Sequence, residues 1–267
     1  MKTDRQFFQK IDLPDGTETN GITDHRRDPS LLMIDAGYMR GKRVLDIGAN
    51  DGFWCFWSES NGSVGNLAID VEEYSKYDRG YVQPTSARLP DDGANKGDNF
   101  AFLKETFGFT THRDHISVYE LDPEQHGQFD IVFFYGVLYH LRHPLLAFDR
   151  IRRVCSGVVF VETHIHSTND LLPNSVFYRD DVFGITNWSG PSESCVVQWM
   201  HDAGFPHVFR EKRRKGPMRA RYIGCIDAPA AEHFRQASHF TYCDDVYYAA
   251  VRAETLKSLE KARNSSS

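Results

Sequence analysis

The stretch V-L-D-I-G-A-N-D-G-F-W, Val44 to Trp54, places an acid, Asp46, ahead of Gly48 and Gly52. An apolar run, a glycine turn and an aromatic segment predict strand, tight turn and helix. In an open α/β sheet that turn holds a ligand outside the strand ends. Gly48 permits a sharp exit from the strand, and Gly52 lets backbone and helix approach a ligand closely. The spacing is not the G-x-G-x-x-G of a dinucleotide enzyme. A pyrophosphate gains little from an acid at Asp46, whereas an ammonium group is attracted to it. Asp70 closes the next apolar run, Asn66–Ile69, 24 positions beyond Asp46. An acid there can accept both hydrogen bonds of a ribose diol. An adenosine-like ligand with a cationic amino-acid end meets both acids, and S-adenosylmethionine is such a ligand.

Methyl transfer from a sulfonium needs alignment of nucleophile, methyl and sulfur more than covalent help. For a hydroxyl acceptor a general base adds about 10²–10⁴-fold. His140, following the Tyr135–Tyr139 strand end, is the first candidate base. Glu162 and His164 end the Gly157–Val161 strand and point to the same face. Tyr139, Tyr178 and Trp188 are the candidate acceptor-binding rings. His164 and His166 share a strand face, but no acidic partner is placed with them, so no metal site is assigned. The cluster R-E-K-R-R-K-G-P-M-R-A-R, Arg210 to Arg221, reads as a solvated turn or as a phosphate contact for RNA.

These residues need a scaffold of alternating elements. Val44–Ile47, Asn66–Ile69, Asp130–Tyr135 and Gly157–Glu162 read as buried strands, and Ile116–Leu121 alternates like a strand. Phe53–Ser60, Asn99–Gly108, Pro144–Val154, Ser192–Ala203 and Val246–Arg263 read as helices. A further short helix is expected through residues 31–36. Gln83–Asp98 reads as a polar loop. Phe205–Glu211 and Arg219–Ile226 form a closing pair without a helix between them, so one is antiparallel. Strands alternating with helices predict an α/β fold, a mainly parallel sheet with helices on both faces.

The chain has 267 residues, 40% hydrophobic and 13% aromatic, enough for a substantial core. Its formal net charge of −6 disfavours a dedicated nucleic-acid binder. Five widely spaced cysteines show neither zinc spacing nor a disulfide framework. The N-terminus has no apolar signal core, and no run approaches membrane-spanning length. A cytoplasmic protein with no membrane partner is expected.

D-I-G-A-N-D-G resembles motif I of class I S-adenosylmethionine methyltransferases. F-D-I-V-F-F-Y-G-V-L-Y-H-L-R-H-P, Phe129 to Pro144, is similar to a segment of the tRNA wobble-uridine (carboxymethyl)transferases and their small-molecule relatives. K-I-D-L-P-D-G-T-E-T-N-G, Lys10 to Gly21, and N-W-S-G-P-S, Asn187 to Ser192, fit the same group. The resemblance implies a Rossmann-like fold with a seven-stranded sheet and an antiparallel last strand. It implies that Asp46, Gly48, Ala49, Asn50 and Gly52 surround the methionine end. Asp70 and Val71 then hold ribose and adenine, and Glu120, Leu121 and Asp122 lie along the adenine. Tyr135 and Gly136 line the floor below the sulfonium.

The expected partition is an N-terminal extension over the active site (1–41), a cofactor-binding core (42–227), and a C-terminal helix with a disordered tail (228–267). The leading function is methylation of a small-molecule hydroxyl, of a natural product or a sugar. The alternative is a tRNA wobble-uridine modifier, with RNA as partner. A third reading is a methyltransferase-like fold that binds without catalysis. The C-terminal helix can pack on its own domain or pair two subunits as a homodimer.

Overall fold

Strand β1 (Val44–Ile47) is buried along its whole length, as a strand covered on both faces must be. A glycine turn leads into helix α1 (Phe53–Ser60), which packs back on β1. Then follow β2 (Leu67–Ile69), α2 (Lys96–Phe107), β3 (His112–Asp114), the short α3 (Pro123–His126) and β4 (Phe129–Tyr135). β1 lies between β2 and β4, with Leu45 opposite both Leu67 and Val132, and β3 extends the sheet beyond β2; every pairing is parallel. The chain therefore leaves β1 to one side for β2 and β3 and crosses to the other for β4. The carboxyl end of β1 is the switch point where such sheets open a crevice.

The structure is a computed structural model that describes residues 5–27, 34–71, 96–166, 173–178, 187–212, 218–236 and 239–265. It divides into two units: residues 1–134 with 153–156, and residues 135–152 with 157–267. The second contains most of α4 (Pro144–Val154) and β5 (Cys155–His164), then β6 (Ser175–Phe177), β7 (Ser189–Pro191) and α5 (Glu193–Asp202). β8 (His207–Glu211), β9 (Arg219–Cys225), α6 (Ala228–Arg235), β10 (Phe240–Cys243) and α7 (Asp245–Asn264) complete it. Here β9 pairs with β5 and with β8, and β8 with β10, all antiparallel. β6 and β7 form a separate two-stranded ribbon.

The main sheet has eight strands where seven were expected, and antiparallel pairing runs through the second unit instead of ending with one closing strand. The extra strand is β10. Phe240 and Cys243 are buried on it, and it covers the edge that β8 would otherwise leave open. Residues 228–264 thus supply a helix and a strand as well as the long helix read from the sequence.

Three other readings change. Ile116–Leu121 is not a strand, because Ser117 and Glu120 close a capping box around a 3₁₀ turn, Val118–Glu120. The strand lies earlier, at the polar residues His112–Asp114 on a sheet edge. Helix α2 begins at Lys96, inside the segment read as a loop, whose residues 83–95 lie outside the described residues. Of the short helix expected through residues 31–36, residues 31–33 also lie outside them; a 3₁₀ turn, Ala36–Met39, follows an Asp35 cap. No helix among the described residues is long and apolar enough to cross a membrane.

The N-terminal segment is tied to the glycine turn by one buried carboxylate. Asp51 Oδ2 accepts the backbone N–H groups of Phe8 at 2.6 Å and Gln9 at 2.7 Å. Its Oδ1 accepts from Asn99 Nδ2 at 3.2 Å, and the same amide donates to the Gln6 carbonyl at 2.7 Å. Hydrogen bonds to a charged acceptor contribute about 1.5–3 kcal/mol each when both groups are desolvated. Asp51→Ala is therefore expected to release this segment, seen as faster tryptic cleavage at Lys10 and Arg26 with far-UV circular dichroism nearly unchanged. Cleavage at the wild-type rate would show that Asp51 is not the tie.

Candidate active site

In the first unit the turn after β1 is built from residues held in left-handed conformations. Gly48, Asn50 and Gly52 have φ of 74°, 50° and 98°. Asparagine tolerates that region better than most side chains, and glycine enters it freely. The Gly48 and Ala49 N–H groups both donate to the Ile69 carbonyl, at 2.8 and 3.2 Å, joining the turn to the end of β2. The Asn50 N–H donates to Asp70 Oδ2 at 2.8 Å. The motif I residues and the expected ribose acid thus meet in one place, with Val71 half-buried next in the chain.

Asp46 lies deeper than the sequence reading placed it. It is 2% exposed, beneath the turn. Gly52, the cap residue of α1, has no side chain to offer the helix, so the first N–H groups are satisfied from elsewhere. Gln9 Oε1 accepts from Phe53 N–H at 3.0 Å, and the Asp46 carboxyl accepts from Cys55 N–H. Asp46 Oδ2 has no hydrogen-bond partner among the described residues. Burial, reinforced by the neighbouring Asp70, pushes its carboxyl up to about 7, while Arg113 and the Cys55 N–H pull the other way. Burial also raises Asp51. Three carboxyls therefore surround a single guanidinium, Arg113, whose charge couples to Asp70, Asp46 and Asp51. The balance is negative, and the unpaired oxygen fits a cationic ligand.

Glu120, Leu121 and Asp122, expected along the adenine, lie in and after the 3₁₀ turn that follows β3, and their side chains have local tasks. Glu120 Oε2 accepts the Ser117 N–H at 2.8 Å, Asp122 Oδ1 accepts the Glu124 N–H at 2.9 Å, and Leu121 is fully buried.

The second unit gathers the residues nominated for the acceptor. After Tyr135, Gly136 adopts φ 72° and its N–H donates to the Glu162 carbonyl at 3.0 Å. Tyr139 lies in the 3₁₀ turn Leu138–His140, with the His140 ring 4.1 Å from its own. Arg219, the first residue of β9, donates from Nη2 to Tyr139 Oη at 2.9 Å. Its Nη1 lies 3.0 and 3.1 Å from the two Glu162 oxygens, and its guanidinium sits 4.9 Å above the Tyr139 ring. Burial raises the Tyr139 phenol, and Arg219 opposes the shift.

His164 faces Arg219 directly across the β5–β9 ladder, and Nε2 is 2.8 Å from Tyr178 Oη. Burial, then the charges of Arg219 and His166, lower its imidazole, so it is neutral at physiological pH. Gly190 makes this pair possible, since a Cβ there would stand 2.0 Å from Tyr178 Oη. The Trp188 N–H donates to the Tyr139 carbonyl at 2.8 Å, and the Arg142 guanidinium lies 5.4 Å from the indole. Glu162, His164, Tyr139, Tyr178 and Trp188 are therefore neighbours.

The methyltransferase domain family matches residues 31–208, well over half of the chain. The chain belongs to that family. It is 25% identical over 210 residues to the tRNA U34 carboxymethyltransferase of Psychrobacter cryohalolentis, covering 75% of this chain and 54% of the relative. The enzyme of the same name from Dichelobacter nodosus is 26% identical over 178 residues, covering 65% and 49%. The chain thus spans about half the length of the curated relatives it matches. Among solved structures, the N-terminal domain of EvdMO1 with S-adenosylhomocysteine bound superposes with a TM-score of 0.60 at 18% identity, covering 83% of this chain and 92% of that one. The 1,6-didemethyltoxoflavin-N1-methyltransferase of Burkholderia thailandensis gives 0.51 at 17% identity, covering 74% and 76%. The chain has the Rossmann-like class I methyltransferase fold.

Sequence reasoning passed over Arg113, Gln9, Asp51 and Arg219. Arg219 was read within a basic cluster, yet the described arginines of that cluster face acids. Arg210 pairs with the buried Glu193, Arg219 with Glu162, and Arg221 with Glu211. Only the tertiary structure reveals those pairings.

Proposed function

We propose that this S-adenosylmethionine-dependent methyltransferase acts on a hydroxyl of a small molecule. The acid-rich turn supports the cofactor: the unpaired Asp46 oxygen suits the ammonium of its methionine end, and Asp70 its ribose. The transferable methyl is activated by the cofactor itself. What remains for the chain is to bind, align and accept a proton. One observation carries the acceptor class. Arg219 is held by Glu162 and Tyr139, so in the cluster with Tyr178 and Trp188 its charge is compensated by a carboxylate and the described lining is polar and aromatic. That composition favours an uncharged hydroxylated molecule over a polyanion. Neutral His164 and the nearby His140 are the candidate bases.

A second reading, carboxymethyl transfer to a tRNA wobble uridine, has its own support. The curated relatives carry that name. The readings separate in one assay, with S-adenosylmethionine bearing labelled methyl offered to a panel of catechols and hydroxylated sugars, and separately to bulk tRNA. Label in a small-molecule ether supports the first reading. Tighter binding of a carboxylated cofactor than of S-adenosylmethionine, with label entering tRNA, would replace it with the second.

A further inference from the structure

Beneath the proposed cofactor turn lies a cation to which that reading assigns no task. Arg113, in the middle of β3, has a side chain only 6% exposed. A guanidinium is costly to bury unless its neighbours compensate it. Nη1 donates to the Asn50 carbonyl at 2.6 Å, and Nη2 is 3.8 Å from Asp70 Oδ2. The flat face lies 5.0 Å from the centre of the Phe100 ring. Nε and Nη2 make no hydrogen bond among the described residues. Arg113 is therefore held by charge and by one strong contact to backbone, not by a bidentate carboxylate partner.

That contact falls at a sensitive point. Asn50 has the left-handed φ of 50°, and its own N–H donates to Asp70 Oδ2. The three residues close a ring: Arg113 to the Asn50 carbonyl, the Asn50 N–H to Asp70, and Asp70 back to Arg113. The ring joins the motif I turn, the end of β2 and the middle of β3.

We infer that Arg113 is a positioning residue of the cofactor site, holding the Asn50 peptide and the Asp70 carboxylate where they receive the ribose and the amino-acid end. It acts through those groups and does not touch the ligand. The inference rests on the S-adenosylmethionine reading of the turn. A lysine cannot reproduce it fully, because a single ammonium cannot span Asn50 and Asp70 as the fork does.

The test is calorimetric binding of S-adenosylhomocysteine to wild type, Arg113→Met, Arg113→Lys, Asp70→Asn and the Arg113→Met/Asp70→Asn double variant. Circular dichroism reports the folded fraction. Arg113→Met is expected to bind at least 30-fold more weakly while folded, and Arg113→Lys about 5- to 10-fold more weakly. The double variant should be no weaker than the weaker single variant, since both break one ring. In Arg113→Met the pH at which affinity develops should also move upward, because Asp46 loses its nearby cation. A purely structural arginine would change stability while leaving the affinity of the folded fraction of Arg113→Lys at the wild-type level. If Arg113→Met does not fold, Arg113→Lys decides. Binding by the lysine variant within twofold of wild type overturns the inference. A wild type that binds neither S-adenosylhomocysteine nor S-adenosylmethionine overturns the cofactor reading, and the inference with it.

Discussion

Asp46→Asn is expected to raise the melting temperature at pH 8 while weakening S-adenosylhomocysteine binding about 10- to 100-fold, the worth of one hydrogen bond to a charged group. Both effects come from the same carboxyl. In the folded chain Asp46 titrates at about 7, and in the unfolded chain near the ordinary value of about 3.9. Between those values the folded state holds a proton that the unfolded state has released. Stability therefore falls as pH rises through that window, by an amount on the order of 4 kcal/mol in total. Asparagine removes this loss. The variant should gain over wild type at pH 8 and lose most of that advantage by pH 4. Equal differences in melting temperature at the two pH values would refute the assignment.

The binding half has a sign of its own. A cationic ligand favours the ionised carboxyl, so binding below pH 7 should release a proton, and affinity should climb from about pH 5.5 and level off above pH 7. Titrations in buffers of different ionisation enthalpy measure the proton directly. On the proposed reading Asp46 carries a general cost of binding sites: a group poised for a ligand is less stable without one.

Gly52→Ala should be strongly destabilising in the turn after β1. The residue has φ 98°, and a Cβ there would stand 2.6 and 2.7 Å from two atoms of the Phe100 ring and 2.8 Å from the Phe56 ring. Those rings pack with centroids 4.9 Å apart, and Phe100 and Phe56 are only 3% and 4% exposed, so neither has room to withdraw. Left-handed backbone costs a non-glycine residue about 1–2 kcal/mol, and overpacking adds about 1–3 kcal/mol. Urea unfolding should show a loss of about 2–5 kcal/mol in all. Gly108→Ala is the control, since φ there is 69° with nothing within 4 Å of the new Cβ. It should lose only the backbone part. Equal losses at the two glycines would mean that the aromatic contact is not what requires Gly52.

Much of this was legible because the signals are local. The apolar run Val44–Ile47, the two glycines and the acid closing the next run lie within 27 residues, and hydrophobic period and backbone freedom suffice to read them. Helices α1, α4 and α5 were read close to their ends for the same reason. Ile116–Leu121 misled because alternating hydrophobicity competes there with a capping box, and the short-range hydrogen bonds of Ser117 and Glu120 prevail. Strand β10 escaped because Phe240–Cys243 is an edge strand of four residues, and pairing with β8 stabilises it more than any pattern of its own.

The sequence by itself determined the α/β class, the glycine turn after β1 and the acid that closes β2, since strand period, turn chemistry and a single carboxylate act over a few residues. Tertiary structure decided how the charges are apportioned. Antiparallel register set Arg219 opposite His164 and diagonal to Glu162, parallel pairing brought Arg113 under Asn50 and Asp70, and burial pushed the Asp46 carboxyl up to about 7. Electrostatic energy depends on distance and desolvation between groups far apart in the chain, and only the fold supplies both.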